Sequence, residues 1–247
     1  MKTALYGIAV ALAAIVAPAA RSAEIKVIAS NAVREPYREL IPIFEKASGH
    51  RVMVDWGGTL DIVKRVGGGE VTDIVIIPAA RIEAFVKEGK LTGRVDVAKS
   101  GVGVAVRAGV PRPDIKTAEA LKKTLLAAKS IVLSSGPSSF YLPTMFEKMG
   151  IAADLAPKII QIGPGLGVGD TLARGEGEIG FTQMSELMSV KGIDYLGPLP
   201  PEVQFVTVFS AGVHAAAPAA SPARELLKFL TGGESAPVLR RHGMEPG

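Results

Sequence analysis

The residues best suited to chemistry in this chain are short polar groups at the ends of apolar runs. Ser30-Asn31 follows the run 25–29, Gly57-Gly58-Thr59 follows 51–56, and Ser134-Ser-Gly-Pro-Ser-Ser139 follows 131–134. A helix-period pattern comes next in each case. Hydroxyls, amides and bare backbone N–H groups would therefore sit at helix N-termini, where free donors and partial positive charge concentrate. Such a set suits an anion held by dipoles, without a full counter-charge. Ser, Thr and Asn are also the ordinary N-caps, so a single junction reads as a cap, and three in one chain favour a site. The glycine-dense stretch 163–169 is either a strand-to-helix turn or a loop whose N–H groups approach a ligand. Arg34, in the first turn after Asn31, either faces solvent or forks onto a carboxylate.

Bond-making chemistry has no comparable signature. There is no G-x-S-x-G elbow, no H-E-x-x-H and no G-x-x-x-x-G-K-[ST]. His50, His214 and His242 are far apart and read as surface or capping residues, so no metal site is expected. Glu35 and Glu186 lie near candidate loops, but their spacing does not demand acid–base work. The expectation is a binding protein with no cofactor and no catalytic residue.

The elements that must position these groups alternate from residue 25 onward. Strand runs at 25–29, 51–56, 73–77, 101–107, 131–134, 159–162 and 178–182 are separated by helix-period segments. Val33, Tyr37, Leu40, Ile41 and Phe44 mark the first helix, with a kink expected at Pro42 and a stop at Gly49. A long apolar stretch covers 203–213, and two helices close the chain near 222–230 and 234–241. Repeated strand–helix units imply parallel sheets flanked by helices. Ligands of open α/β sheets bind at the carboxyl ends of the strands, which is where all three junctions fall. No flexible linker divides the chain, so two lobes would be joined through the strands near 101–107 and 205–213.

Bulk composition narrows the class further. The chain has 247 residues, 48% of them hydrophobic and 21% charged, with a net charge of +4 and no cysteine. The basic residues are scattered and aromatics amount to 5%, unlike the basic, stacking surface of a nucleic-acid binder. Lys2, the apolar run 4–17 and Ala20-Arg-Ser before Ala23 read as a signal peptide over 1–23, too short for a span of about 20 apolar residues. The absence of cysteine excludes disulfides and a lipid-anchored N-terminus. The expected compartment is the bacterial periplasm.

The order and spacing of several segments resemble the periplasmic molybdate-binding (ModA-like) proteins of the type II solute-binding superfamily. They are 25–33 with Gly49, Asp55-Trp-Gly-Gly-Thr-Leu60, the strand 70–77, Pro137-Ser-Ser-Phe-Tyr141 with Glu147-Lys-Met-Gly150, and 173–181. The resemblance implies an α/β fold of two lobes, each a mostly parallel sheet flanked by helices, with the ligand in the cleft between them. The lobes would be 24–104 with 206–247, and 105–205. It further implies a monomer that captures a small molybdate- or tungstate-like anion and hands it to the permease of an ABC importer. The family's first-loop serine falls at or near Ala32, beside Ser30 and Asn31. Its second-loop serine falls at Gly58-Thr59, and its third-loop backbone donor at Ser138, beside Ser139. The next backbone donor lies within 165–168, at Val168. Where the family often has a ligand-binding tyrosine, this chain has Gln183. That departure and Arg34 leave open a small organic carboxylate, an enzyme on the same fold, or a sensor module.

Overall fold

The computed structural model describes residues 22–163 and 165–247; the expected signal peptide lies almost wholly outside the described residues. The strands are β1 (Glu24–Ser30), β2 (Arg51–Gly57), β3 (Ile74–Pro78), β4 (Leu91–Arg107), β5 (Ile131–Leu133), β6 (Ile159–Gln161), β7 (Ile179–Gln183), β8 (Ile193–Pro198), β9 (Val206–His214) and β10 (Glu245–Pro246). The helices are α1 (Arg34–Ser48), α2 (Thr59–Gly67), α3 (Ala79–Lys87), α4 (Ala118–Ala127) and α5 (Ser138–Lys148), then α6 (Ala152–Leu155), α7 (Val168–Ala173), α8 (Met184–Leu187), α9 (Ala220–Leu230) and α10 (Ser235–Arg241).

Two sheets share the long strand β4. In the first, β1 pairs in parallel with β2 and β3, and β9 runs antiparallel between β3 and the first part of β4. In the second, β5 pairs in parallel with β6 and β7, and the end of β4 lies antiparallel between β7 and β8. The first sheet has two reversed strands, β9 and the short β10 that pairs with β4, the second has one, and helices pack on both, as expected. The apolar cores are separate. Tyr37, Leu40 and Phe44 of α1 recur at helical spacing and pack with Val27, Ile76, Phe209 and Leu226 against the first sheet. Leu121, Leu142, Phe146 and Phe181 fill the core on the second. Burying each such side chain contributes about 1.5–3 kcal/mol, so each sheet has its own driving force for folding.

Several local expectations change. The strand read at 101–107 begins at Leu91. Its first part carries exposed polar residues and register shifts against β9, which break the apolar alternation. β8 and β10 lie outside the strands read from the sequence; β8 shows no alternation, being half-buried from Ile193 to Gly197. Helix α1 runs unbroken through Pro42 and stops where Gly49 takes the left-handed conformation, φ 74°. His50 and His214 are buried instead of superficial, and each ring Nδ1 accepts a backbone N–H, from Ala23 and Ala216 respectively.

Candidate functional site

Six junctions fall at carboxyl ends of parallel strands: β1 to α1, β2 to α2, β3 to α3, β5 to α5, β6 to α7 and β7 to α8. The first three belong to one sheet and the other three to the second. These two edges face each other. The Ser185 hydroxyl donates to the Ala32 carbonyl at 2.7 Å, although the two residues are 153 apart in sequence. At Gly58 a Cβ would lie 3.2 Å from the Ser135 hydroxyl, so the bare backbone lets the α2 and α5 loops touch. At the rim, Arg81 of α3 lies 5.8 Å from the centre of the Phe140 ring on α5.

The residues predicted to bind ligand distribute along this boundary. Ser30 is buried, and its hydroxyl accepts from the Ala32 N–H at 3.3 Å, capping the single 3₁₀ turn before α1. Gly58 and Thr59 open α2. Thr59 is buried, and its hydroxyl has no hydrogen-bond partner among the described residues. Ser138 is completely buried at the start of α5, and its hydroxyl lies 2.9 Å from that of Ser134. The Ser139 hydroxyl turns back to donate to the Gly136 carbonyl at 2.6 Å, which makes it a local turn contact. Val168 is buried at the start of α7. Gln183, at the end of β7, is fully buried; its Nε2 donates to the Thr207 hydroxyl at 3.3 Å, and its Oε1 has no partner among the described residues.

Asn31 and Arg34 meet the glycine-dense loop in a cavity of about 60 Å³, lined also by Gly167, Val168, Asp170 and Glu186. Arg34 is partly exposed, and its Nε donates to a Glu35 carboxylate oxygen at 3.2 Å. The same oxygen accepts from Arg38 at 3.2 Å. Arg34 therefore lines the cavity, and no other ion pair holds it among the described residues.

Sequence reasoning committed to none of three further groups here. The Tyr37 hydroxyl is buried without a partner among the described residues, and burial keeps it protonated to higher pH than an ordinary phenol. Ser185 joins the two edges. Glu186 lines the cavity, and desolvation raises its carboxyl above the ordinary carboxylate range. The Thr182 hydroxyl, which donates to Glu186 Oε1 at 3.0 Å, the Arg34 charge and the Gln183 backbone N–H oppose that rise. Arg34 and Glu186 form no direct ion pair, so both groups face a shared space. The orphaned hydroxyls carry no sequence signal, because their isolation depends on contacts between segments far apart in the chain. Among the described residues no cluster of His, Cys, Asp and Glu could hold a metal ion.

A two-sheet α/β scaffold with donors at facing carboxyl edges defines the class of solute-binding proteins. The chain belongs to the bacterial extracellular solute-binding protein family, whose model matches residues 25–245. A relative from Pseudomonas sp. named aconitate isomerase is 32% identical over 228 residues, covering 89% of this chain and 87% of that one. The periplasmic molybdate-binding protein of Azotobacter vinelandii superposes with a TM-score of 0.75 at 16% identity, covering 90% of this chain and 99% of that one. The sulfate-binding protein SubI of Mycobacterium tuberculosis H37Rv gives 0.74 at 20% identity, covering 91% and 87%. These two structures establish the fold, which is the one the resemblance to molybdate-binding proteins implied.

Proposed function

We propose that this chain captures a small organic polycarboxylate in the cleft between two lobes. The lobes are 24–104 with 206–247, and 105–205. The observation that carries this reading is Arg34, a guanidinium on the cavity wall with its terminal nitrogens uncommitted among the described residues. Guanidinium forks match carboxylates in geometry and charge. Asn31, Thr59, Ser138 and Gln183, with the N–H groups at Gly58 and Val168, would supply neutral donors to the remaining oxygens. The 32% identical relative is named for an isomerase of a tricarboxylate, which supports the same ligand class. The protein would act in the periplasm as a monomer after removal of 1–23, and pass its ligand to an ABC permease.

A second reading is a tetrahedral oxyanion such as molybdate or tungstate. The neutral character of Thr59, Ser138 and Gln183 favours it, since dipoles alone hold an oxyanion well. Thermal unfolding against a panel separates the two. The panel holds molybdate, tungstate, sulfate, phosphate, tricarballylate, citrate and trans-aconitate. At 100 times its dissociation constant a ligand adds about 2.7 kcal/mol, roughly 5–10 °C for a chain of this size. Stabilisation by the carboxylates is the expected result. Stabilisation by molybdate and tungstate alone replaces this reading with the second.

A further inference from the structure

Strand β4 leaves one sheet and enters the other at a single residue. Its ladder with β9 ends at the pair Gly101 and Val206. Its ladder with β8 begins at the pair Gly103 and Pro198. Val102 stands between them, where the chain from 199 to 205 leaves the ladder. A side chain fills that gap. The Val102 N–H donates to Gln204 Oε1 at 2.9 Å, and Gln204 Nε2 donates back to the Val102 carbonyl at 3.1 Å. An opposing residue of an antiparallel strand makes this same two-way exchange with its backbone. The Gln204 amide therefore takes the place of a missing peptide unit.

The same amide reaches both flanking segments. Its Oε1 also accepts the Phe205 N–H at 2.8 Å, on the way into β9, and its Nε2 also donates to the Leu199 carbonyl at 3.4 Å, on the way out of β8. It lies against the backbone of Gly101, where a Cβ would come within 3.1 Å of the amide carbon and nitrogen. The residues beside Gln204 are fastened to α5. The Tyr141 hydroxyl donates to the Val203 carbonyl at 2.7 Å, and the Tyr141 ring stacks on Phe205 with centres 4.8 Å apart. One turn earlier, α5 begins with Ser138 at the candidate site. Across β4, Val102 is paired with Gln183 of β7, whose Nε2 reaches Thr207 of β9.

A rotation of one sheet against the other about Val102 moves β8 relative to β9. It has to break or bend some of the bonds that converge on this amide. We infer that Gln204 is a positioning residue that sets the angle between the two sheets, and through that angle the affinity of a cleft it does not touch. This rests on the reading that the ligand sits between the two lobes, and adds what holds them in the binding arrangement. Affinity falls in proportion to the fraction of molecules in that arrangement. A variant that leaves a tenth of them in it binds about 10-fold more weakly.

The test uses the mature protein, which has no cysteine to interfere with labelling. Lys46→Cys on α1 and Lys148→Cys on α5, both exposed, take one spin label on each side of β4. Pulsed electron paramagnetic resonance reads the distance between the labels, and titration calorimetry reads tricarballylate binding. In Gln204→Ala the ligand-free distances should spread, saturating tricarballylate should restore the bound distance of the parent, and affinity should fall about 10-fold. Gly101→Ala pushes on the same amide and should shift both readings in the same direction by less. Gln204→Glu keeps the acceptor and loses the donor, so it should lie between the parent and the alanine variant. A lower melting temperature alone, with the distances and affinity of the parent in both Gln204→Ala and Gly101→Ala, overturns the proposal. If tricarballylate does not bind the parent, the carboxylate reading fails, and the ligand-free distances of the parent and the variants decide this proposal by themselves.

Discussion

The amino and carboxyl edges of the first sheet carry equally polar residues and treat them in opposite ways. At the amino edge the buried polar side chains are paired. Asp73 accepts the Lys26 N–H at 2.8 Å and the Ala219 N–H at 2.7 Å. Thr72 donates to the Lys26 carbonyl at 2.8 Å, and Glu45 accepts the Val52 N–H at 2.7 Å. Where the carboxyl edge meets the second sheet, the hydroxyls of Tyr37 and Thr59 and the amide oxygen of Gln183 are buried without partners among the described residues. A buried polar group left unsatisfied costs about 1–3 kcal/mol. On the proposed reading, the paired groups of one edge hold the fold and the unpaired groups of the other meet a ligand.

The largest effect should come from breaking the satisfied edge. Asp73→Ala removes two hydrogen bonds to a carboxylate, each worth about 1.5–3 kcal/mol. Its melting temperature should fall by roughly 6 °C or more in calorimetry, with the ligand-induced shift preserved. At the opposite edge, Arg34→Ala should leave the melting temperature of the free protein nearly unchanged. It should weaken tricarballylate binding about 10–100-fold, the worth of one charge-assisted contact, as read by titration calorimetry. Equal binding by the variant and the parent would remove Arg34 from the site.

Thr59→Val and Ser138→Ala should each cost about 1 kcal/mol of binding, near fivefold. They should differ in the free protein. Valine replaces an unpartnered hydroxyl and should hold or raise the melting temperature, whereas alanine at 138 removes one of the two hydrogen-bond partners of the Ser134 hydroxyl, leaving the Gly136 N–H, and should lower it. Gly58→Ala adds a methyl group 3.2 Å from the Ser135 hydroxyl. It should open the contact between the two edges and weaken binding by a few-fold, about 1 kcal/mol.

Glu186 gives the smallest signal, seen in stability against pH. Its carboxyl in the folded protein stays protonated to higher pH than in the unfolded chain, because burial disfavours the charge. The stability it contributes is complete at low pH and is lost as pH rises through its folded value. Glu186→Gln should therefore be more stable than the parent at pH 8, with the gap closing toward pH 4. A gap of constant size would show that the carboxyl does not titrate differently on folding.

Much of this site was legible in the chain because cap chemistry is local. Ser30, Thr59 and Ser138 end or begin elements whose periods are plain, so their places followed from a few neighbouring residues. The same locality misled at Ser139, whose hydroxyl is spent on its own turn. What could not be read depends on distant segments meeting. The Ser185–Ala32 contact, the isolation of Tyr37 and the desolvation of Glu186 exist only once the two edges face each other. The strand β4 was shortened in reading for a related reason. Its first part is held by pairing with β9, and its own exposed residues show little alternation.

The most direct test of the central claim is a crystal structure of the mature protein with tricarballylate. It should show the ligand between the two carboxyl edges, one carboxylate forked by Arg34 beside Asn31, and further oxygens at Thr59, Ser138 or Gln183. A ligand bound elsewhere on the molecule, with those side chains unchanged and unpartnered, would contradict it.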